Sequence, residues 1–422
     1  MVGIVLIIIF VLGYLAIAFE HALRLNKAAA ALMTGVLCWT VYVASGDVTH
    51  QFAEEELTHH LGEIGSILFF LLGAMTIVEL IDSYEGFSLI TRRITTKSTS
   101  RLLFTISVVT FILSALLDNL TTAIVMTSLC IKIINDKELR LWFAGMIIIA
   151  ANAGGAWSPL GDVTTTMLWI GGQISAANII QQLLLPAIVV LAVPLSVLMF
   201  KFRKHEFQAN VLKEHTSIET KDSRIILISG IGLLLFVPLF KTITHLPPFM
   251  GMLLALGIMW IVTAVMKKRD PERAAEKLTV AEALQQVDSP SILFFLGILL
   301  AVAALQSYGL LQVMSAFLSS TLHNDYLIGI TLGVLSAIVD NVPLVAAAQG
   351  MYDLNSYPMD HSFWEFLALT TGTGGSMIII GSAAGVAVMG IEHVDFIWYL
   401  KKISWLALVG FIAGVLVFMM MH

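Results

Sequence analysis

A chain of 422 residues that is 58% hydrophobic and only 12% charged carries about half the charge of a soluble globule. That excludes a water-soluble enzyme or binding module and reads as an all-α polytopic membrane protein. The formal net charge of −6 says little about partners, since its sign is distributed by membrane side; no nucleic-acid partner and no cofactor is expected.

In chain order, Val2–Ala18, Ile179–Phe200, Ile225–Phe240 and Trp405–Met421 reach or approach the ~20 apolar residues that span hydrocarbon as a helix. None of these runs alternates polar and apolar residues, as the strands of a closed barrel do. The N-terminal run lacks a basic flank and is too long for a secretory h-region, so a retained first helix is predicted. Cys38 and Cys130 lie far apart in apolar runs and suggest neither a disulfide framework nor a thiolate metal site.

All 23 Lys and Arg residues except Lys241 fall in six places: Arg24/Lys27, 92–101, 132–140, 201–224, 267–277 and Lys401/Lys402. The segments 46–62, 242–248, 306–326 and 350–362 carry acids and histidines without any Lys or Arg. The positive-inside rule makes the first set cytoplasmic and the second external. No Lys or Arg is expected at membrane depth.

Within repeat 1 (1–200) the pattern predicts scaffold helices over 1–62 and a helix over 63–81. A re-entrant hairpin follows over 102–134, two short apolar arms around Asp118-Asn119 with basic residues at both ends. Then comes a helix over 141–174, broken at Asn152-Ala-Gly-Gly-Ala-Trp-Ser-Pro-Leu-Gly-Asp162. Glycine and proline at this density interrupt a helix, and such backbone survives at depth only inside protein or beside water. A helix over 178–200 and a cytoplasmic linker over 201–224 complete the half. Repeat 2 (225–422) takes the same order: scaffold helices 225–266, a cytoplasmic segment 267–289 with an amphipathic stretch Pro271–Val287, helix 290–305, hairpin 325–355, broken helix 362–390 and helix 403–421.

The repeat is visible in five ordered markers. Ser66-Ile-Leu-Phe-Phe-Leu71 returns as Ser291-Ile-Leu-Phe-Phe-Leu296, Ser83-Tyr84 as Ser307-Tyr308, and Asp118-Asn119 as Asp340-Asn341. Gly154-Gly155 returns as Gly374-Gly375 and Gly161 as Gly381. The flanking charge reverses between copies, so an inverted-topology repeat is predicted, with about 11 transmembrane helices, two re-entrant hairpins and two broken helices.

Burying an ionisable residue in the membrane costs several kcal/mol, which makes each one a functional candidate. These are Asp118, Asp162 and Asp340, with Glu63, Glu79 and Glu365. Three acids without a partner cation favour a small hard cation held by oxygen. Asp118, Asn119, Thr121, Thr122, Thr164, Thr165, Ser336, Asp340 and Asn341 are donors of that kind, and Ser376 and Ser382 can join them. A carboxyl taken out of water binds its proton more tightly, so one group can hold either H+ or a metal ion, and competition for it couples the two.

Each of these residues has a plainer reading. Asp118, Asp162 and Asp340 can cap helices, Glu63 can be an exposed acid favoured by a helix N-terminus, and Glu79 and Glu365 can be interface residues. His50, His59 and His60 read as a solvated loop, and the glycine pairs can serve close helix packing. No phosphate-binding loop occurs, so the chain is not expected to be an ATP-driven enzyme.

Ser114-Ala-Leu-Leu-Asp-Asn-Leu-Thr-Thr122, Asn152 to Thr165, Ser336-Ala-Ile-Val-Asp-Asn-Val-Pro343 and Gly372-Thr-Gly-Gly-Ser376 resemble the NhaD-type sodium/proton antiporters of the ion transporter superfamily. The resemblance implies exchange of Na+ or Li+ for H+, a homodimer, and a scaffold beside a moving transport domain. By position it implies a site of Asp118, Asn119, Asn152, Asp162, Thr164, Thr165, Ser336, Asp340 and Asn341, with Na+ at Asp118, Asn119, Asp340 and Asn341 and Glu63 as an accessory. Dicarboxylate carriers of the superfamily carry Ser-Asn-Thr at both turns, where this chain has Asp-Asn-Leu-Thr and Asp-Asn-Val-Pro. An arsenite or dicarboxylate permease is the alternative carrier, and a channel or non-transporting membrane scaffold the alternative of another class. The expected setting is the bacterial inner membrane.

Overall fold

A computed structural model describes residues 2–18, 25–46, 48–87, 98–203, 205, 221–269 and 277–422. The first half holds α1 (Val2–Ala18), α2 (Lys27–Ala44), α3 (His50–Ser83), α4 (Thr99–Ser114), α5 (Asn119–Ile133), α6 (Lys137–Ala156), α7 (Val163–Ile170) and α8 (Ala176–Lys201). The second holds α9 (Lys221–Thr244), α10 (Pro248–Arg269), α11 (Val280–Gln286), α12 (Ser289–Ser307), α13 (Leu310–Leu322), α14 (Asp325–Leu335), α15 (Asn341–Met351), α16 (Ser362–Gly374), α17 (Ala383–Glu392), α18 (Phe396–Lys402) and α19 (Ser404–Met421). Most of the linker expected over 201–224, the 92–97 part of the basic loop and the Pro271 end of the amphipathic stretch lie outside the described residues.

Among the described residues eight helices are long and apolar enough to cross a membrane, or nine if α17 and α18, bent by 117°, form one span. The protein is therefore an all-α multi-pass membrane protein. The count falls below the expected eleven because several helices are short. The 17 residues of α1 rise about 26 Å, just under a ~30 Å hydrocarbon core. The arms of the two acidic pairs are shorter still, at 16 and 15 residues in α4 and α5 and 11 each in α14 and α15.

One boundary moves substantially. The helix expected over 63–81 begins at His50, so the histidine segment read as a solvated loop is helical. Thr49 caps it by accepting from Phe52 N, and no breaker intervenes before Gly62. A further helix, α13, occupies part of 306–326, opening after Gly309 in a left-handed conformation.

The helices sort into two groups. α2 packs against α1 and, most extensively, α12, while α3 packs on α10, α12 and α9. Small residues allow the α2–α12 approach: a Cβ on Gly35 would lie 2.5 Å from Gly297 O, and one on Gly297 2.4 Å from Ala31 C. Trp39 Nε1 fixes the pair by donating to Leu300 O at 2.9 Å. In the second group α4 packs on α6 and α14 on α16. The second arms cross over, α5 packing on α17 and α15 on α7, and α15 also packs against α12 of the first group.

Candidate functional site

At three of the four breaks the residue that caps the next helix is a carboxylate. Asp118 Oδ1 accepts from Thr121 N and Oδ2 from Thr121 Oγ1, both at 2.8 Å. Its φ of 153°, with ψ of 160°, is a conformation usually left to glycine, which marks a held turn. Asp340 accepts from Val342 N at 3.1 Å, and Asp162 from Thr164 N at 3.2 Å. The fourth cap is Ser382, whose Oγ accepts from Gly385 N at 3.2 Å. Capping is thus realised at all four breaks.

Equivalent contacts hold the two copies. Ser114 Oγ donates to Ala151 O at 2.6 Å and Ser336 Oγ to Thr371 O at 2.7 Å, tying each first arm to its broken helix. A Cβ on Gly154 would lie 2.3 Å from Phe111 O, and one on Gly374 2.1 Å from Gly333 O. Cβ atoms on Gly161 and Gly381 would strike the carbonyls of Ser114 and Ala337 at 2.5 and 2.6 Å. Glycine at these four places lets backbone meet backbone.

Across the copies the polar groups interlock. Asn119 Nδ2 donates to Asn152 Oδ1 at 3.1 Å, and Asn152 Nδ2 donates to Ser376 Oγ and Ser382 Oγ, both at 2.9 Å. Asn341 Nδ2 donates to Asp162 Oδ2 at 3.2 Å. Asn119 and Asn341 both donate from their NH2 groups to other buried side chains, which leaves each amide oxygen to serve as an acceptor. Asn119, Asn152, Asp162, Asn341, Ser376 and Ser382 are all buried.

At the centre lies a cavity of about 20 Å³, room for about one water or small ion. Asn119, Asp162, Asp340 and Asn341 line it, and so do Val163 and Ala383, so the first residues of α5, α7, α15 and α17 all reach its wall. Asp162 is within electrostatic range of both Asp340 and Asp118. Four helix N-termini at about half a positive charge each sum to about +2, against −3 for the three ionised caps. The carboxylates and helix ends by themselves therefore leave about one net negative charge, which favours a cation, and Lys27, which also lines the cavity, offsets much of it.

Of the expected site residues, Asn119, Asp162, Asp340 and Asn341 meet at the cavity, and Asn152, Ser376 and Ser382 brace it. Asp118 turns to Thr121, which lines a second, larger cavity of about 480 Å³ beside Leu120 and Ala383. Thr164 and Thr165 are buried in the first turn of α7, Thr165 Oγ1 donating to Ala156 O at 3.5 Å. Thr122 is buried with no partner for its hydroxyl among the described residues. Ser336 is committed to Thr371. Glu63 stands apart, mostly exposed, with His59 and His60 at 3.6 and 3.5 Å. Among the described residues no three His, Cys, Asp or Glu side chains form a metal-chelating group; the cavity's oxygens are amide as well as carboxylate.

Lys27 of α2 and Ser291 and Phe295 of α12 also line the small cavity, and neither helix was expected to contribute to the site. Lys27 corrects the expectation that no cation reaches the site. A lysine in the first turn of a helix opposes the helix dipole, and that anomaly is the signal the sequence carries. Glu365 is buried in α16, where it accepts from Asn178 and lies 3.5 Å from His422 Nε2. Glu79 lines the larger cavity.

A family model described as citrate transporter, CitMHS, matches residues 4–374. Over 98% of its length the chain is 47% identical to sodium/proton antiporter 1 of Arabidopsis thaliana, covering 72% of that protein. It is 44% identical to sodium/proton antiporter 2 of the same plant, covering 98% of this chain and 99% of the relative. The Na+/H+ antiporter NhaD of Alkalimonas amylolytica is 31% identical over 99% of this chain and 90% of its own.

Proposed function

The chain belongs to the CitMHS family of membrane transporters, and from that premise we propose that it is a secondary active antiporter exchanging Na+ or Li+ for H+. It moves ions without making or breaking covalent bonds in a substrate, and so is a transporter and not an enzyme. The observation that carries the mechanism is the small cavity closed by four helix N-termini and lined by Asn119, Asp162, Asp340 and Asn341. Na+ is held there by the Asp340 and Asp162 carboxylates and the Asn119 and Asn341 amide oxygens, with Asp118, turned to Thr121, as a nearby third charge. Protons compete for the same carboxylates. If an empty, fully ionised site crosses poorly, each departing Na+ obliges protons to enter.

The finer architecture belongs to the same proposal. The pairs α4–α5 and α14–α15 are re-entrant hairpins of opposite direction, supported by their short arms and equivalent contacts. They move with α6–α7 and α16–α17 against the α2–α12 scaffold. The Lys/Arg-bearing segments face the cytoplasm, the protein works as a homodimer, and its setting is a bacterial inner membrane.

The citrate description of the family model suggests an anion substrate, and helix N-termini favour anions. The space available speaks against it. A cavity of about 20 Å³ is far below the 300–1,000 Å³ usual for small organic ligands, and the larger one is faced by Glu79, Asp82 and Asp288. Inside-acid vesicles with an internal pH dye decide the matter. Dye recovery on adding Na+ or Li+, but not citrate, succinate or arsenite, is expected; saturable anion flux without a cation response contradicts the reading.

A further inference from the structure

We propose that Lys27 is a specificity-determining residue on the Na+ path, a fixed cation on the scaffold that weakens Na+ binding from one side of the membrane. Three observations carry it. Lys27 lines both cavities, the ~480 Å³ one and the ~20 Å³ one, and shares that double position with Leu120, Ser291 and Ala383. It is the only Lys or Arg among the residues lining either of the two. Its Nζ lies 5.0 Å from the centre of the Phe294 ring, and Phe294 is buried in α12, so the ammonium is seated on the α2–α12 pair and not on the helices that carry the carboxylates.

The larger cavity runs between the scaffold, through Asn26, Val78, Glu79, Asp82 and Asp288, and the core, through Thr121, Ile124, Val386 and Ala387. It is the approach to the inner cavity, and Lys27 stands where the two meet. The caps and helix ends leave the ionised pocket with about one net negative charge by the same half-charge count. One more positive charge nearby offsets much of what attracts Na+. For a unit charge about 8 Å from a bound cation at an effective dielectric constant of about 20, Coulomb's law gives about thirtyfold in affinity, and screening by Glu79, Asp82, Asp288 and water brings this toward about fivefold. If the core slides relative to α2, the carboxylates leave Lys27 behind, so the penalty applies in the state open to this cavity and fades in the other.

The inference rests on the antiport reading, and its test is built to fail separately from it. Lys27→Cys is made in the full chain, whose other cysteines, Cys38 and Cys130, are buried. The purified variant is reconstituted in vesicles with Na+ supplied on either side, before and after reaction with an aminoethyl thiosulfonate that restores a positive charge. Unmodified Lys27→Cys is expected to lower the apparent KM for Na+ supplied from the large-cavity side about fivefold, with the opposite side changed less than about twofold. The cationic reagent returns the KM toward the original value, and a sulfonatoethyl reagent lowers it further. An active variant whose Na+ KM is indifferent to the charge at position 27, or shifts equally from both sides, overturns the proposal while leaving antiport intact. A parent protein that moves no protons on Na+ addition is the failure of the antiport reading instead.

Discussion

Asparagine in place of aspartate separates charge from capping, because both residues cap a helix about equally well and only one can be ionised. Asp340→Asn and Asp162→Asn are therefore expected to insert and fold, keeping the caps at Val342 and Thr164, while Na+/H+ exchange falls at least about a hundredfold, as the loss of a direct charged ligand implies. Asp118→Asn keeps the Thr121 cap and is expected to lose exchange as well. Near-normal flux in any of the three would return that residue to a purely structural role. In the parent protein, raising the pH removes protons from the shared carboxylates, so apparent Na+ affinity rises with pH. The slope reaches about tenfold per pH unit where one proton competes, and flat affinity between pH 6 and 9 contradicts competition. The sequence showed these acids plainly because a charge amid apolar residues stands out. Lys27 escaped because a cation in the first turn of a helix, though unusual, does not say which site tertiary packing will bring it against.

The helical elements make a different prediction, since glycine at the crossings is a matter of backbone contact. Gly154→Ala would put a Cβ 2.3 Å from Phe111 O and Gly374→Ala one 2.1 Å from Gly333 O. Neither carbonyl can swing aside as a side-chain tip can. Each substitution is expected to destabilise by about 1–3 kcal/mol through overpacking and to push a hairpin off its broken helix, lowering thermal stability and transport together. Similar losses in the two variants support equivalent roles; a tolerated alanine at one position and a lethal one at the other would break the correspondence. These crossings were foreshadowed by the paired markers Gly154-Gly155 and Gly374-Gly375. The 34-residue α3 was not, because its first turns are charged and a hydropathy reading stops where a helix leaves the apolar layer. Nor was the exchange of partners, α5 on α17 and α15 on α7, since sequence order gives which elements exist and not which half they embrace.

For the whole molecule the asymmetry of the two flanks matters most. On one flank a cavity of about 480 Å³ separates α3 and α12 from α5 and α17. On another, scaffold and core touch: Phe70 of α3 meets Trp169 of α7 edge-on at 6.1 Å between ring centres, and Lys241 Nζ of α9 donates to Trp169 O at 2.8 Å. A shape open along one approach and packed along another is what alternating access needs in one of its states. All of this depends on Na+ and H+ taking turns on the same buried oxygens. The direct measurement is proton release from purified protein in weakly buffered detergent solution when Na+ is added, with bound Na+ counted in parallel. Na+ binding is expected to release protons in proportion to sites filled, with both signals lost in the Asp162→Asn, Asp340→Asn double variant. Stoichiometric Na+ binding with no proton appearing in solution would contradict the account.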